Sequence, residues 1–313
     1  MLEYARVLGG GAKVSGVVTL KEKFKISYSK EPVKNVMFVD FSQYCKENSI
    51  PIYVMQENMH EKALVEKLRI WKPDIIVVVG WYHIIPEEIR SIPKLGAVGF
   101  HASLLPKYRG CAPLVWAMIQ GEREVGLSLF VLDEGVDTGA LIAQAKIPVL
   151  MKDTIAAVYK KVEEAGLEIL RTDFWDYVYG KRKLLPQVIL DEGRRGWPAR
   201  NPKDGLFSWK TMSPLGIYNY IRAQTHPYPG AYCYCGDDKI TIWKATLYPY
   251  EYEGYKAGEI IKQIDDRDFQ GVLIATADND IPILIENISI NDNEKNKEEM
   301  FSYFSTVGVC SLN

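Results

Sequence analysis

The segment Asp74–Trp81, DIIVVVGW, constrains the fold more than any other part of the chain. Five β-branched residues run from Ile75 to Val79 with no polar alternation, the pattern of a strand buried on both faces of a sheet. Double burial requires helices on either side, and the flanking sequence supplies them. NMHEKALVEKLRIWKP has apolar residues at helical spacing and stops at Pro73. A helix over 86–91, the strand GAVGFH, a helix over 112–120, the strand GLSLFVL and a helix over about 155–179 follow. Upstream lie the strands Val14–Leu20 and Ile50–Met55, with helical spacing between them in NVMFVDFSQYCKENS. This alternation predicts an α/β domain with an open, mostly parallel sheet. The run Gly9–Gly11 follows the helical LEYARVL and precedes a strand, so it ends a helix rather than cradling a phosphate. The first element is then a helix, and the strand that usually opens such a domain is missing. Either the chain was truncated at its start or the sheet does without that strand.

A chain of 313 residues is long for one core. Its style changes near 185–205, where GRRGWPARNPKDGLFSW is rich in glycine, proline and aromatics. SPLGIYNYIRAQTHPYPG then carries one helix ended by Pro227. Five short strands follow (AYCYC, KITIWKATLY, GEIIKQI, GVLIATA, IPILIENISI), which fits a small OB-like β-barrel. The expected domains are therefore 1–190, α/β; 191–230, a linker and helix; and 231–313, OB-like.

Net charge is −2, so no global field draws DNA. From Ala231 onward seven Lys/Arg face fifteen Asp/Glu, whereas basic residues cluster at GKRK and GRRGWPAR in the middle. There is no membrane-spanning run and no signal-peptide layout at the N-terminus, which implies a cytoplasmic protein. Five scattered cysteines read as reduced thiols, with Cys111 a packing residue, and the four histidines show no metal-ligand spacing.

In an open parallel sheet ligands bind beyond the carboxyl ends of the strands. His101 ends one strand and Asp137 follows the next, in LFVLDEGVDTG, so neighbouring strand ends can bring an imidazole and a carboxylate together. Such a pair moves a proton or stabilises charge in acyl transfer. The spacing alone leaves catalysis and a structural pair both open.

FHASLLPKYRGCAPLVWAMIQGE followed by GLSLFVLDEGVDTG resembles the folate-dependent formyltransferase family. That family includes methionyl-tRNA formyltransferase, the glycinamide ribonucleotide enzyme and the sugar N-formyltransferases. The resemblance is specific over Asp74–Pro148 and looser through RNPKDGLFSW and the segment beginning YIRAQTHPYPGA. It implies a Rossmann-like formyltransferase fold, N10-formyltetrahydrofolate as formyl donor, tetrahydrofolate as product and an amine as acceptor. It also implies a catalytic trio of Asn, His and Asp. His101 and Asp137 fill two places, and Gly99 stands where the asparagine amide would be. Either protonated His101, a water or a backbone N–H replaces that donor, or formyl transfer is lost. By the same resemblance the pterin lies against Trp81, His83, Ile84 and Asp133, while Ser103 and Leu104–Leu105 shape the pocket. Tyr108, Arg109 and Gly110 are candidate acceptor contacts; Arg109 serves equally as a brace of its own loop, and His83 as a rim residue.

The acidic C-terminal part opposes a tRNA, which needs a basic face. A nucleotide-linked amino sugar remains, its UDP or dTDP diphosphate held by Arg194, Arg195 or Arg200. That acceptor points to surface-glycan biosynthesis. Methionyl-tRNA formyltransferase, and a formyl-folate hydrolase or non-catalytic binding protein, are the alternatives. Exposed strands of the C-terminal domain could pair two copies into a homodimer.

Overall fold

The structure is a computed structural model that describes residues 12–25, 32–188, 196–277 and 281–307. Gly9–Gly11, the LEYARVL helix, Arg194 and Arg195 lie outside the described residues. In chain order the elements of the first part are β1 (Val17–Thr19), β2 (Lys23–Phe24), β3 (Val33–Lys34), α1 (Ser42–Glu47), β4 (Ile52–Val54), α2 (Lys62–Trp71), β5 (Ile76–Val79), α3 (Glu87–Arg90), β6 (Ala97–His101), α4 (Pro113–Ile119), β7 (Glu124–Val131), β8 (Leu141–Pro148), α5 (Ile155–Arg171) and α6 (Asp173–Val178). Helix α2 forms because Leu64, Val65 and Leu68 share its buried face. It stops where Lys72 turns left-handed, at φ 46°, ahead of Pro73.

Strands β1 and β4 pair in parallel, as do β5 and β6. The remaining pairs depart from the parallel expectation, since β7 runs antiparallel to both β6 and β8. The reason lies in the path of the chain. After His101 it re-enters the sheet at the end it left, with Ser128 opposite His101, so β7 must run backwards. Strand β5 is also less buried than its sequence predicts. Ile76 and Val78 pack with Leu64, Leu68 and Ile89, whereas Val77 and Val79 on the other face are 39% and 41% exposed. The long helix expected over 155–179 is two, broken at Thr172.

The second part contains a 3₁₀ turn (Pro202–Gly205), α7 (Pro214–Gln224), β9 (Ala231–Cys235), β10 (Asp238–Leu247), β11 (Ile260–Asp265), β12 (Gln270–Ile274), β13 (Ile283–Ile290), β14 (Asn293–Lys295) and α8 (Lys297–Val307). Ser213 caps α7 by accepting the Gly216 N–H, with Pro214 in the first turn. The strands form one antiparallel sheet in the order β11-β12-β13-β10-β9, with β14 on β13. Its end strands β11 and β9 do not pair among the described residues, so the expected barrel is an open antiparallel sheet here. Trp209, Ile217, Ile221, Ile240, Ile242 and Val272 are fully or almost fully buried in its core.

The chain divides into two compact units, one of Met1–Pro113, Glu124–Pro148 and Lys160–Pro198, the other of Leu114–Arg123, Val149–Tyr159 and Ala199–Asn313. Among the described residues no helix is long and apolar enough to cross a membrane, and no His/Cys/Asp/Glu group could hold a metal. Cys45, Cys111 and Cys233 are free thiols, but Cys235 is disulfide-bonded, which corrects the all-reduced reading.

Candidate active site

Residue types in β6 decide where the site begins. Val98 is buried in the sheet, and the strand delivers His101, 8% exposed, at its carboxyl end. Since β6 and β7 are antiparallel, the end of β7 at Val131 lies opposite Val98, three residues or about 10 Å from His101. Neighbouring strand ends therefore do not create the His–Asp pair. The connection between β7 and β8 folds back and does so. Asp133 organises that connection, its Oδ1 accepting the Gly135 N–H at 3.1 Å and the Thr138 hydroxyl at 2.6 Å. Asp137 takes a left-handed φ of 54° and turns its carboxylate inward.

Asp137 Oδ2 lies 3.6 Å from His101 Nδ1 and accepts the Gly110 N–H at 2.9 Å. On the other side of the ring, His101 Nε2 lies 2.9 Å from the Tyr108 carbonyl oxygen. A carbonyl oxygen only accepts, so Nε2 carries a proton. Both ring nitrogens thus face oxygen atoms, the Tyr108 carbonyl within hydrogen-bond distance and Asp137 Oδ2 at 3.6 Å.

The loop after His101 is fixed from within the sheet. Ser103 Oγ donates to the Lys107 carbonyl at 2.7 Å. Ser128 Oγ donates to the Ser103 carbonyl at 2.6 Å and accepts the Leu105 N–H at 3.1 Å. Gln144 Nε2 donates to the Leu105 carbonyl and to Ser128 Oγ, each at 2.9 Å. Sequence reasoning missed Ser128 and Gln144. Their signal is a lone polar residue in each of the apolar runs GLSLFVL and LIAQA, positions that stay in a sheet only when hydrogen-bonded. The side chain of Leu104 lies against Gly126.

Gly99 is two residues before His101 in β6. A Cβ added there would meet Leu132 Cδ2 at 2.9 Å and the Phe130 ring at 3.2 and 3.4 Å. Hydrocarbon fills the space beside Gly99, and Phe130 is buried.

Trp81 leaves β5 at the end where β6 carries His101, because Val79 pairs with Phe100. Its ring is 6.0 Å from that of His83, which in turn lies 6.2 Å from Phe24. Trp81 Nε1 and His83 Nε2 are buried without hydrogen-bond partners among the described residues. Burial holds the His83 imidazole below its ordinary range and so keeps it neutral. Ile84 beside it is 67% exposed. Arg109 has its carbonyl bound by the Trp197 N–H. Arg200 belongs to the second unit, where its guanidinium stacks 4.6 Å over Trp116 and donates to Asp204 O and Gln224 Oε1.

Residues 2–173 match the family model described as formyl transferase, and residues 200–304 match that of the formyl transferase C-terminal domain. The bifunctional polymyxin resistance protein ArnA of Wigglesworthia glossinidia brevipalpis is 36% identical over 223 residues, covering 71% of this chain and 33% of that protein. The chain thus spans about a third of the length of this curated relative. HypX from Aquifex aeolicus, solved with tetrahydrofolic acid, superposes with a TM-score of 0.58 at 23% identity, over 87% of this chain and 44% of that one. The N-formyltransferase from Helicobacter canadensis, solved with folinic acid and dTDP-3-aminofucose, gives 0.55 at 19% identity, over 88% and 99%. At these identities the solved structures speak to the fold alone.

Proposed function

The chain belongs to the formyl transferase family, and from that premise we propose that it moves a formyl group from N10-formyltetrahydrofolate to the amine of a UDP- or dTDP-linked amino sugar. The observation that carries this reading is the pair of buried His101 and half-buried Asp137, 3.6 Å apart, at the end of β6. The folate fits what surrounds that strand end. Trp81 and His83 offer flat rings and unpartnered buried nitrogens, the complement of a planar heterocycle with polar edges.

The donor supplies a formyl carbon bound to N10, and the residues of the chain handle charge and protons. His101, held between the Tyr108 carbonyl and Asp137, presents a cationic ring to the oxygen that gains negative charge when the acceptor nitrogen attacks. That role substitutes for the amide absent at Gly99. As the carbon–N10 bond breaks, the proton shed by the acceptor nitrogen is taken up at N10, so the proton count balances, while both His101 ring nitrogens stay turned toward the Tyr108 carbonyl and Asp137. Asp137 keeps the ring oriented and its charge compensated throughout.

A sugar nucleotide is favoured over a tRNA by the excess of acidic residues after Ala231. The Helicobacter canadensis N-formyltransferase solved with dTDP-3-aminofucose is an instance of this fold holding such an acceptor. Arg200 is a candidate diphosphate contact within the second unit. Synthesis of a surface glycan is the process such a product serves. Incubating the protein with N10-formyltetrahydrofolate and a panel of UDP- and dTDP-amino sugars tests the reading. The expected result is one sugar gaining the mass of a single formyl group. Folate release without any formylated sugar indicates a hydrolase, and formylation of methionyl-tRNA instead overturns the choice of acceptor.

A further inference from the structure

Residues 174–199 fall between the two matched family models, yet this segment contacts both loops that carry the catalytic pair. Leu185 forms a single antiparallel bridge with Leu141, at the start of β8. Two residues on, Gln187 Nε2 donates to the backbone carbonyls of Asp137, at 3.0 Å, and Gly139, at 2.7 Å. One amide donating to two carbonyls of the same turn fixes that turn. Asp137 needs fixing, because its left-handed φ is a conformation that persists only where the surroundings impose it. Gln187 Oε1 is buried without a hydrogen-bond partner among the described residues. A side chain kept in that state is there for what its other end does.

At its far end the segment reaches the second loop. Trp197 bridges to Gly110 in parallel: its N–H donates to the Arg109 carbonyl at 2.6 Å, and its carbonyl accepts the Cys111 N–H at 2.9 Å. The Trp197 ring stacks on Tyr108, with centroids 5.2 Å apart and planes at 20°. The backbones approach so closely that glycine is needed on both sides. A Cβ on Gly110 would lie 2.6 Å from the Trp197 carbonyl oxygen, and one on Gly196 would lie 2.7 Å from that of Arg109. Tyr108 is the residue whose carbonyl accepts the hydrogen bond from His101 Nε2.

We propose that Gln187 and Trp197 are positioning residues for formyl transfer. Gln187 sets where the Asp137 carboxylate stands, Trp197 sets where the Tyr108 carbonyl stands, and the imidazole is fixed between them. Neither side chain touches the reacting atoms. The inference rests on the formyl-transfer reading for its kinetics, but its geometry can be measured without turnover.

The test uses Gln187→Leu, Trp197→Ala and Trp197→Phe, the last keeping an aromatic ring for Tyr108. Displacement of a catalytic group by about an ångström costs roughly a hundredfold. Gln187→Leu and Trp197→Ala should therefore lower kcat by about tenfold to a hundredfold with KM for both substrates unchanged, and Trp197→Phe should restore most of the rate. In a His101→Asn background neither change should lower the residual rate further, since both act through that ring. In ¹⁵N-histidine-labelled protein, the exchange-protected His101 Nε2–H signal should be lost in Trp197→Ala and kept in Trp197→Phe. That signal reports positioning even if no formyl transfer is found, which would overturn the function and not the positioning role. Wild-type kcat in both disruptive variants, or an intact Nε2–H signal in Trp197→Ala, would overturn the proposal. So would an equal loss of rate in the His101→Asn background, because it marks a general effect on folding.

Discussion

Replacement of His101 by glutamine should lower the rate of formyl transfer by about a thousandfold, the upper end for loss of one group that stabilises an oxyanion. The glutamine amide nitrogen matches the position of His101 Nε2, which lies 2.9 Å from the Tyr108 carbonyl, so the loop after β6 should stay in place. What the change removes is the ring's capacity to carry positive charge. The check is kcat together with the thermal midpoint. A thousandfold loss with an unchanged midpoint supports the role given to His101, whereas a small loss of rate would confine it to structure.

The second large effect concerns Gly99. Introducing asparagine there alone should destabilise the protein, because its Cβ would meet Leu132 at 2.9 Å and the Phe130 ring at 3.2 Å. Overpacking of this kind costs about 1–3 kcal/mol. Pairing Gly99→Asn with Leu132→Ala vacates the obstructing methyl groups and lets the amide in. One added oxyanion donor is worth about a hundredfold in kcat, and the double variant should gain rate on that scale over Leu132→Ala alone. A folded double variant with no gain would mean that the cationic His101 already does all that an amide could do. The hydrocarbon beside Gly99 bears on the sequence reading too. Leu132 and Phe130 side chains stand where an asparagine side chain would leave Gly99, and the proposed mechanism gives the missing donor's role to His101.

How far the residues disclosed this architecture differs from element to element. His101 and Asp137 were legible because each sits in a local pattern, an apolar strand ending in a polar residue and a glycine-bounded acidic turn. Their meeting was legible too, but its cause was not. Strand direction depends on where the chain re-enters the sheet, a property of the whole path between His101 and Ser128. Strand β8 was not recognised, since Gln144 and Lys146 interrupt LIAQAKIP and the pattern becomes regular only when β7 is beside it. In NVMFVDFSQYCKENS the helical spacing overreached. Asn35 Oδ1 accepts the Met37 N–H in a turn, Asp40 Oδ1 accepts the Ser42 N–H, and only Ser42–Glu47 is helical. Local side-chain-to-backbone hydrogen bonds outcompeted the helix there. Helix α8 escaped notice because few apolar residues mark NKEEMFSYFSTV, although Met300 and Phe304 bury a stripe at i, i+4 spacing. Gln187 and Trp197 carried no motif at all. Gln187 donates to backbone carbonyls of a distant turn, and Trp197 stacks on Tyr108 far back along the chain, partners that leave no trace in residue type.

The most direct measurement is the single-turnover rate of formyl transfer in Asp137→Asn. Asparagine tolerates the left-handed φ of 54° at this position, and its side-chain oxygen can still accept the Gly110 N–H. The fold is thus kept, and only the negative charge facing His101 Nδ1 is removed. The account predicts a fall of about a hundredfold or more, with formyl-donor binding unchanged. A rate equal to that of the unaltered protein would contradict it.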